Sequence, residues 1–130
     1  MGSVQAQRQA ERQAQRQALG NYGEAIAARH LAQQGMVLLD RSWRCDQGEI
    51  DLVARDGDTL VVCEVKTRRG LDYGSPLEAV TARKLFRLRR LAGCWLAQHS
   101  VHPNEVRIDV VGVLRRPQGP ALVEHLRGVC

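Results

Sequence analysis

Glu49, Asp51, Glu64 and Lys66 are the residues of this chain whose types and spacing can do chemistry together. They stand in two apolar runs separated by Asp56-Gly57-Asp58. Short apolar runs bounded by such a turn read as strands. Strand side chains alternate between faces with period two. Ile50, Leu52 and Ala54 are therefore expected on one face, and Glu49, Asp51 and Val53 on the other. On the second run Val61, Cys63 and Val65 share a face, and Val62, Glu64 and Lys66 share the opposite one.

Loop length decides whether the acids meet. A Gly57-Asp58 loop sets Asp51 directly opposite Glu64. An Asp56-Gly57 loop sets Glu49 opposite Glu64, with Asp51 on the diagonal. Both bring Asp51, Glu64 and Lys66 to one face. A three-residue loop breaks the parity and parts Asp51 from Glu64.

Facing carboxylates repel, so a proton, a cationic side chain or a divalent metal must offset them. Lys66 supplies one positive charge, and a hard cation such as Mg²⁺ has the matching preference for carboxylate oxygen. The hairpin alone leaves two readings open: a metal site, or a solvated polar face with Glu64 and Lys66 as a cross-strand ion pair.

Several elements must position these residues. Residues 4–18 are a Gln/Arg/Ala tract of good helix propensity without an apolar stripe, so residues 1–18 read as a tail, frayed or helical. It can touch nucleic acid or remain a solvated extension. Residues 19–35 read as the first packed helix. Leu19, Tyr22, Gly23, Ile26, Ala27, His30 and Leu31 form its stripe, Asn21 is a cap, and Gly35 is a stop. Glu24 borders that stripe, aimed between helix and sheet or left on the surface near the helix start. His30 reads as a packing residue.

Met36–Leu39 should be a strand continuing to Trp43-Arg44, with a turn at Asp46-Gln47-Gly48. After Lys66 come the basic Arg68-Arg69 exit and a loop through Tyr73. Ser75, Pro76 and Glu78 mark a helix start, and the helix is expected to run from Pro76 to His99. Leu77, Val80, Leu88, Leu91, Ala92, Trp95 and Leu96 are its apolar stripe, and Arg83, Arg87 and Arg90 make a second, with Arg89 beside it. Like charges on one helix repel mildly, so they mark a solvated face or a phosphate-binding one. Lys84 stands at the apolar edge and should lie near the acidic face. Val106–Leu114 and Ala121–Leu126 complete the strands. A helical crossover makes the Val106 strand parallel to the one before it.

The 130 residues suit one domain, residues 19–130 after the tail. Apolar and charged shares of 44% and 25% are those of a globular chain, and only 4% is aromatic, so the core should be aliphatic. The net charge is +5, with 19 basic residues of which only Lys66 and Lys84 are lysines. Arginine favours phosphate partners. The N-terminus lacks a signal-peptide core, and no apolar run has membrane-spanning length. The cysteines at 45, 63, 94 and 130 have no short paired spacing. Cys63 and Cys94 read as core residues, so a reduced, cytoplasmic protein is expected. His99-x-x-His102 has no cysteine pair at zinc spacing.

In order, the motifs are Gly23-Glu24, Gly48-Glu49-Ile50-Asp51-Leu52, Val62-Cys63-Glu64-Val65-Lys66-Thr67-Arg68, Tyr73-Gly74-Ser75-Pro76, Lys84 and Arg107-Ile108-Asp109-Val110-Val111. This pattern resembles the YraN-like family of bacterial proteins over residues 19–126. That family looks like a member of the PD-(D/E)xK nuclease superfamily, closest to archaeal Holliday junction resolvases. The resemblance implies an α/β (α+β) mixed sheet with a restriction-endonuclease-like core, in the order α-β-β-β-α-β with a further edge strand. Ile50 stands where the superfamily's proline would be, Ser42 where the family usually has Asn, and Ile108 and Val62 where it has Phe.

By the same resemblance Asp51 and Glu64 are metal ligands, with the Val65 carbonyl as a further one. Lys66 handles the attacking water, and Glu24 binds a second metal or a metal-bound water. One or two Mg²⁺ or Mn²⁺ ions are implied, and Arg68, Arg69, Arg83, Lys84, Arg87 and Arg90 would hold nucleic-acid phosphates. The expected function is a metal-dependent endonuclease acting on structured DNA, branched or damaged, working as a homodimer or with a partner protein and without a membrane. The alternatives are a non-catalytic nucleic-acid-binding protein of the same fold, and a protein-interaction domain with an ion-paired acidic face.

Overall fold

Two aliphatic layers, one on each side of a single sheet, organise the chain. The computed structural model describes residues 3–70 and 76–129. Its elements are α1 (Ser3–Gln33), β1 (Val37–Cys45), β2 (Gly48–Asp56), β3 (Thr59–Arg69), a 3-10 turn (Pro76–Ala79), α2 (Ala82–Gln98), β4 (Glu105–Arg115) and β5 (Leu122–Leu126). The strands lie in the order β1-β2-β3-β4-β5. All neighbours are antiparallel except β3 and β4, which run parallel across the α2 crossover. This is the expected mixed α/β order, and it is compatible with a restriction-endonuclease-like core.

α1 covers one face, packing Ala27 and Leu31 on Leu52, Ala54, Val61, Cys63, Val111 and Val113. α2 covers the other, packing Leu88, Leu91, Ala92 and Trp95 on Ile50, Val53, Leu60, Val62 and Ile108. β3 and β4 are the central strands, and both of their faces are apolar, as burial on two sides requires.

The β2–β3 hairpin takes the first of the expected registers. Asp56 pairs with Thr59 and Leu52 with Cys63, leaving Gly57-Asp58 as the loop. Gly57, at φ 60°, takes the first loop position, where a two-residue loop favours glycine.

The face assignment of β2 needs one correction. Leu52 and Ala54 face α1 as expected, but Ile50 packs with Val53 against α2. The alternation slips at Asp51. On β1 the same slip occurs at Ser42: Arg41 pairs with Leu52, and Trp43 pairs with Ile50 and packs on the α2 side. Ser42 has φ 49°, a left-handed conformation that costs a non-glycine residue about 1–2 kcal/mol and that Asn tolerates better.

Three further differences concern the helices and cysteines. The tail and first helix form one continuous helix, so Asn21 lies inside it; residues 3–18 project as an exposed helix. α1 stops as expected: Gly35, at φ 90°, and Met36 return their N–H groups to Ala32 and Leu31. The second helix begins at Ala82 rather than Pro76. Thr81 is its N-cap, accepting from the Lys84 N–H at 3.2 Å. The expected Ser75 cap and the loop from Leu71 lie outside the described residues. Cys63 is buried, whereas Cys94 is only half-buried.

A buried polar network ties both ends of the domain to β4. Asp109 is fully buried. It accepts from Arg107 (2.8 and 3.1 Å), His125 Nε2 (2.8 Å) and the Gly128 amide (3.1 Å). Arg107 and Asp109 stand two apart on one strand face, and Arg107 also reaches Asp56 at 3.0 Å. Because carboxylate oxygens only accept, a neutral His125 donates from Nε2 to Asp109, and its Nδ1 accepts from His30 Nε2 at 3.0 Å. Burial alone would raise the Asp109 pKa, but Arg107, His125 and the Gly128 amide hold it below the usual carboxylate range.

These contacts can be tested by stability measurements. A Cβ on Gly23 would lie 2.8 Å from Thr67 Cβ. Gly23→Ala should therefore destabilise by about 1–3 kcal/mol by overpacking, although alanine favours a helix by roughly 1 kcal/mol; urea unfolding measures it. Burial, then His125 and Arg127, lower the His30 pKa from 6.5. The unfolded chain thus binds that proton first, and stability should fall as pH drops below about 6.5. His30→Gln should flatten that limb of a Tm-against-pH curve.

Candidate active site

At the end of the β2–β3 ladder the backbone pairing gives way to a side chain. One step beyond the Leu52–Cys63 pair, Asp51 Oδ2 accepts the Val65 N–H at 2.8 Å. The carboxylate is thereby held where the strand faces slip, turned toward β3. Glu64, only 8% exposed, lies beside it. Burial, then the neighbouring Glu64, push the Asp51 carboxyl up to about 7; the Val65 amide pulls the other way and is outweighed. Asp51 therefore keeps its proton much further toward neutral pH than an ordinary carboxyl does.

Cations supply the rest of the balance. Lys66 Nζ lies 3.8 Å and Lys84 Nζ 3.4 Å from the same oxygen, Glu64 Oε1. Lys66 comes from β3 itself, two residues after Glu64 on one strand face. Lys84 comes from the first turn of α2, placed by the Thr81 cap, and meets the acidic face as its edge position led one to expect. Both lysines of the chain thus converge on one carboxylate. Burial, and then the neighbouring Lys84 amine, hold the Lys66 ammonium below its usual pKa against the attraction of Glu64.

Glu24 approaches from α1. Its Oε1 accepts the Ser42 hydroxyl at 2.7 Å and lies 3.7 Å from Arg41 Nε. The strained Ser42 therefore links the face slip to the third carboxylate. Sequence periodicity contains no signal for this, because an isolated serine in a strand has no partner until the helix is packed.

Two clefts meet at Asp51. The larger, of about 610 Å³, lies between α1 and the ends of β1–β3; Glu24, Asp51, Val65, Lys66 and Arg68 line it, with Arg16 and Arg44 at its rim. The smaller, of about 220 Å³, opens toward α2 and is lined by Glu49, Asp51, Glu64, Lys84 and Arg87. Arg69 stands apart from both, in a recess with Arg115 and Arg116. Arg83, Arg87 and Arg90 line a third recess on α2. Arg16 and Arg44 carry no sequence signal for a place at the cleft. Arg16 lies in low-complexity sequence, and Arg44 has the form of an ordinary strand-end charge.

The donor set suits a hard divalent cation. Asp51 has one oxygen engaged by Val65 and one remaining, and Glu64 adds buried carboxylate oxygens close by. Among the described residues no three His, Cys, Asp or Glu side chains converge. A cation here would thus have two side-chain ligands and keep several waters, as Mg²⁺ characteristically does. Without it, the buried acid pair is a source of strain. An asparagine at 51 can still accept from Val65 and can donate to Glu64. Asp51→Asn should therefore raise metal-free stability at pH 7.5 by about 1–2 kcal/mol, read by denaturant unfolding in EDTA.

Comparison with known proteins gives the family. Residues 23–113, from the α1 glycine to the latter part of β4, match the model of "Uncharacterised protein family UPF0102". A UPF0102 protein of Nocardioides sp. is 61% identical over 112 residues, covering 86% of this chain and 90% of its own. That of Beutenbergia cavernae is 62% identical over 112 residues, covering 86% and 95%. That of Kineococcus radiotolerans is 61% identical over 113 residues, covering 86% and 93%. The matched span carries Glu24, Asp51, Glu64, Lys66 and Lys84, and on its extent the chain belongs to the UPF0102 family.

Proposed function

We propose that this protein is a metal-dependent endonuclease of the PD-(D/E)xK type that hydrolyses phosphodiester bonds in structured DNA. The observation that carries the reading is the Asp51–Glu64 pair with Lys66 and Lys84 within 4 Å of Glu64, at the meeting of two arginine-lined clefts. A buried pair of neighbouring carboxyl groups is costly for folding alone. Its presence beside an open cleft is the pattern of a functional site. The resemblance in motif order supports the same residues.

Hydrolysis adds water to phosphorus, breaks one ester P–O bond and leaves a phosphate end and a hydroxyl end. Asp51 and Glu64 would hold the Mg²⁺ or Mn²⁺ ion, with the Val65 carbonyl as a further donor. The bound ion supplies charge neutralisation at the phosphate and a more acidic water. Glu24, held by Ser42, stands at the outer rim to bind a second ion or its water. Lys66, with its lowered pKa, orients the attacking water and steadies charge at the phosphate. Arg68 and Arg87 hold flanking phosphates from the two clefts without reading sequence. Lys84 leaves Glu64 for phosphate when substrate enters.

One observation favours the non-catalytic alternative. The two lysines beside Glu64 and the raised pKa of Asp51 already reduce the repulsion of the acid pair without a metal, as in an ion-paired surface. A single set of measurements separates the two. Mn²⁺ should raise the Tm of the wild type but not of Asp51→Asn or Glu64→Gln. A panel of four-way, flapped, nicked and linear DNA should be cut with Mn²⁺, and Lys66→Ala should lower the rate at least ~100-fold while binding persists. Binding without cleavage on every substrate would establish the alternative, and a flat metal response would remove the catalytic reading.

A further inference from the structure

α2 carries a feature that phosphate binding alone does not use. Phe86, the chain's single phenylalanine, is 68% exposed on the outer face of this helix. Arg83 and Arg90 lie at i−3 and i+4 from it and so share its side of the helix, and Arg87, one residue on, lines the same recess. The four residues, with Gln47 and Leu91, line a recess of about 350 Å³. That is within the roughly 300–1,000 Å³ that bound small groups occupy. Arg90 is steadied by Gln47 at 3.3 Å. From Ala82 to Gln98 the helix has four arginines, one lysine and no acid.

An exposed aromatic ring inside an all-cationic helix face fits one kind of occupant. A protein partner's apolar patch would cover Phe86 but leave the arginines desolvated and unpaired, at considerable cost. A nucleotide satisfies both parts: its base stacks on the ring and its phosphates take the arginines. The base must be unpaired, because a base within a duplex has both faces stacked already. The recess also connects to the acidic pair. Arg87 and Leu91 line both it and the smaller cleft that holds Asp51, Glu64 and Lys84.

We infer that Phe86 and the flanking arginines form a stacking site for an unpaired nucleotide of a strand that continues to the Asp51–Glu64 site. The inference rests on the proposed nuclease reading for what happens at that site, though not for the binding itself. It narrows the substrate class: nucleic acid with a single-stranded portion beside the reacting phosphate, such as a flap, gap or open branch, in preference to continuous duplex. Phe86 is a specificity residue on this account and takes no part in bond breaking.

Binding in EDTA at fixed salt tests this apart from cleavage. Single-stranded, flapped and fully duplex oligonucleotides of equal length, in DNA and RNA forms, are titrated by fluorescence anisotropy. Phe86→Ala should weaken single-stranded and flapped binding about 5- to 100-fold and change duplex binding less than about twofold. Phe86→Trp should restore it, whereas Arg83→Ala should weaken all forms alike. A 2-aminopurine in the flap should be quenched by the wild type and by Phe86→Trp, but not by Phe86→Ala. A mononucleotide that competes as well as an oligonucleotide would overturn the continuous-strand assignment. Equal losses on duplex and single strand, no loss, or a change of oligomeric state with Phe86→Ala would overturn the stacking site. Failure of every form to bind would remove it together with the nuclease reading. Normal selective binding with no cleavage would leave this inference standing and remove only the catalytic one.

Discussion

The hydrogen bond from the Val65 amide to Asp51 is the contact on which the candidate site depends. At that point the β2–β3 ladder exchanges a backbone acceptor for a side-chain one. The exchange turns a carboxylate inward at the place where β1 and β2 change faces together. It also sets the acid close enough to Glu64 that the two cannot both be charged without help. Help comes from three sources: Lys66 from β3, Lys84 from α2, and the proton that Asp51 retains. On the proposed reading a divalent cation would take the place of that proton, and stability without it and readiness to bind it would then be opposed properties of the same four side chains.

The Asp109 network plays the complementary role on β4, where Asp109 pairs in register with Cys63, the residue before Glu64. Removing one partner from a buried charge is far more costly than the pair is worth, so Arg107, His125 and the Gly128 amide act as a unit. Through His30 and His125 this unit joins α1 to β5, and through Gly128 it holds the C-terminal tail against β4. α1 is thereby fixed at its C-terminal half. Its exposed N-terminal half runs past the larger cleft and brings Arg16 to the rim. The Arg107-x-Asp109 motif is thus architectural, and it sets the position from which Glu24 reaches the cleft.

The two faces of the sheet divide the work. The α1 side carries the large open cleft, Glu24 and a strained serine. The α2 side carries a dense cationic helix whose first turn enters the acidic site and whose outer stripe exposes an aromatic ring. Asp51 lines clefts on both sides because it sits where the strand alternation slips. A regular strand would have confined it to one.

Much of this was legible in the sequence, and the reasons are local. Period-two patterning placed β2, β3 and β4 and reduced the hairpin to a few registers, because turn geometry and alternation are properties of a few neighbouring residues; the packed sheet selected the Gly57-Asp58 loop among them. Glu64 and Lys66 had to share a face for the same reason. The helical crossover made β3 and β4 parallel. What the sequence could not contain was every feature requiring two distant elements at once. The slip at Ser42 and Asp51 arises from pairing β1 with β2 under two different helices. The start of α2 lies at Thr81, whose side chain caps it. The descent of Lys84 onto Glu64, the Ser42–Glu24 bond, and the separation of Arg69 from the site were decided only when helices docked on the sheet. Burial and the approach of charges, which set the protonation of Asp51, are properties of the packed domain and of no segment within it.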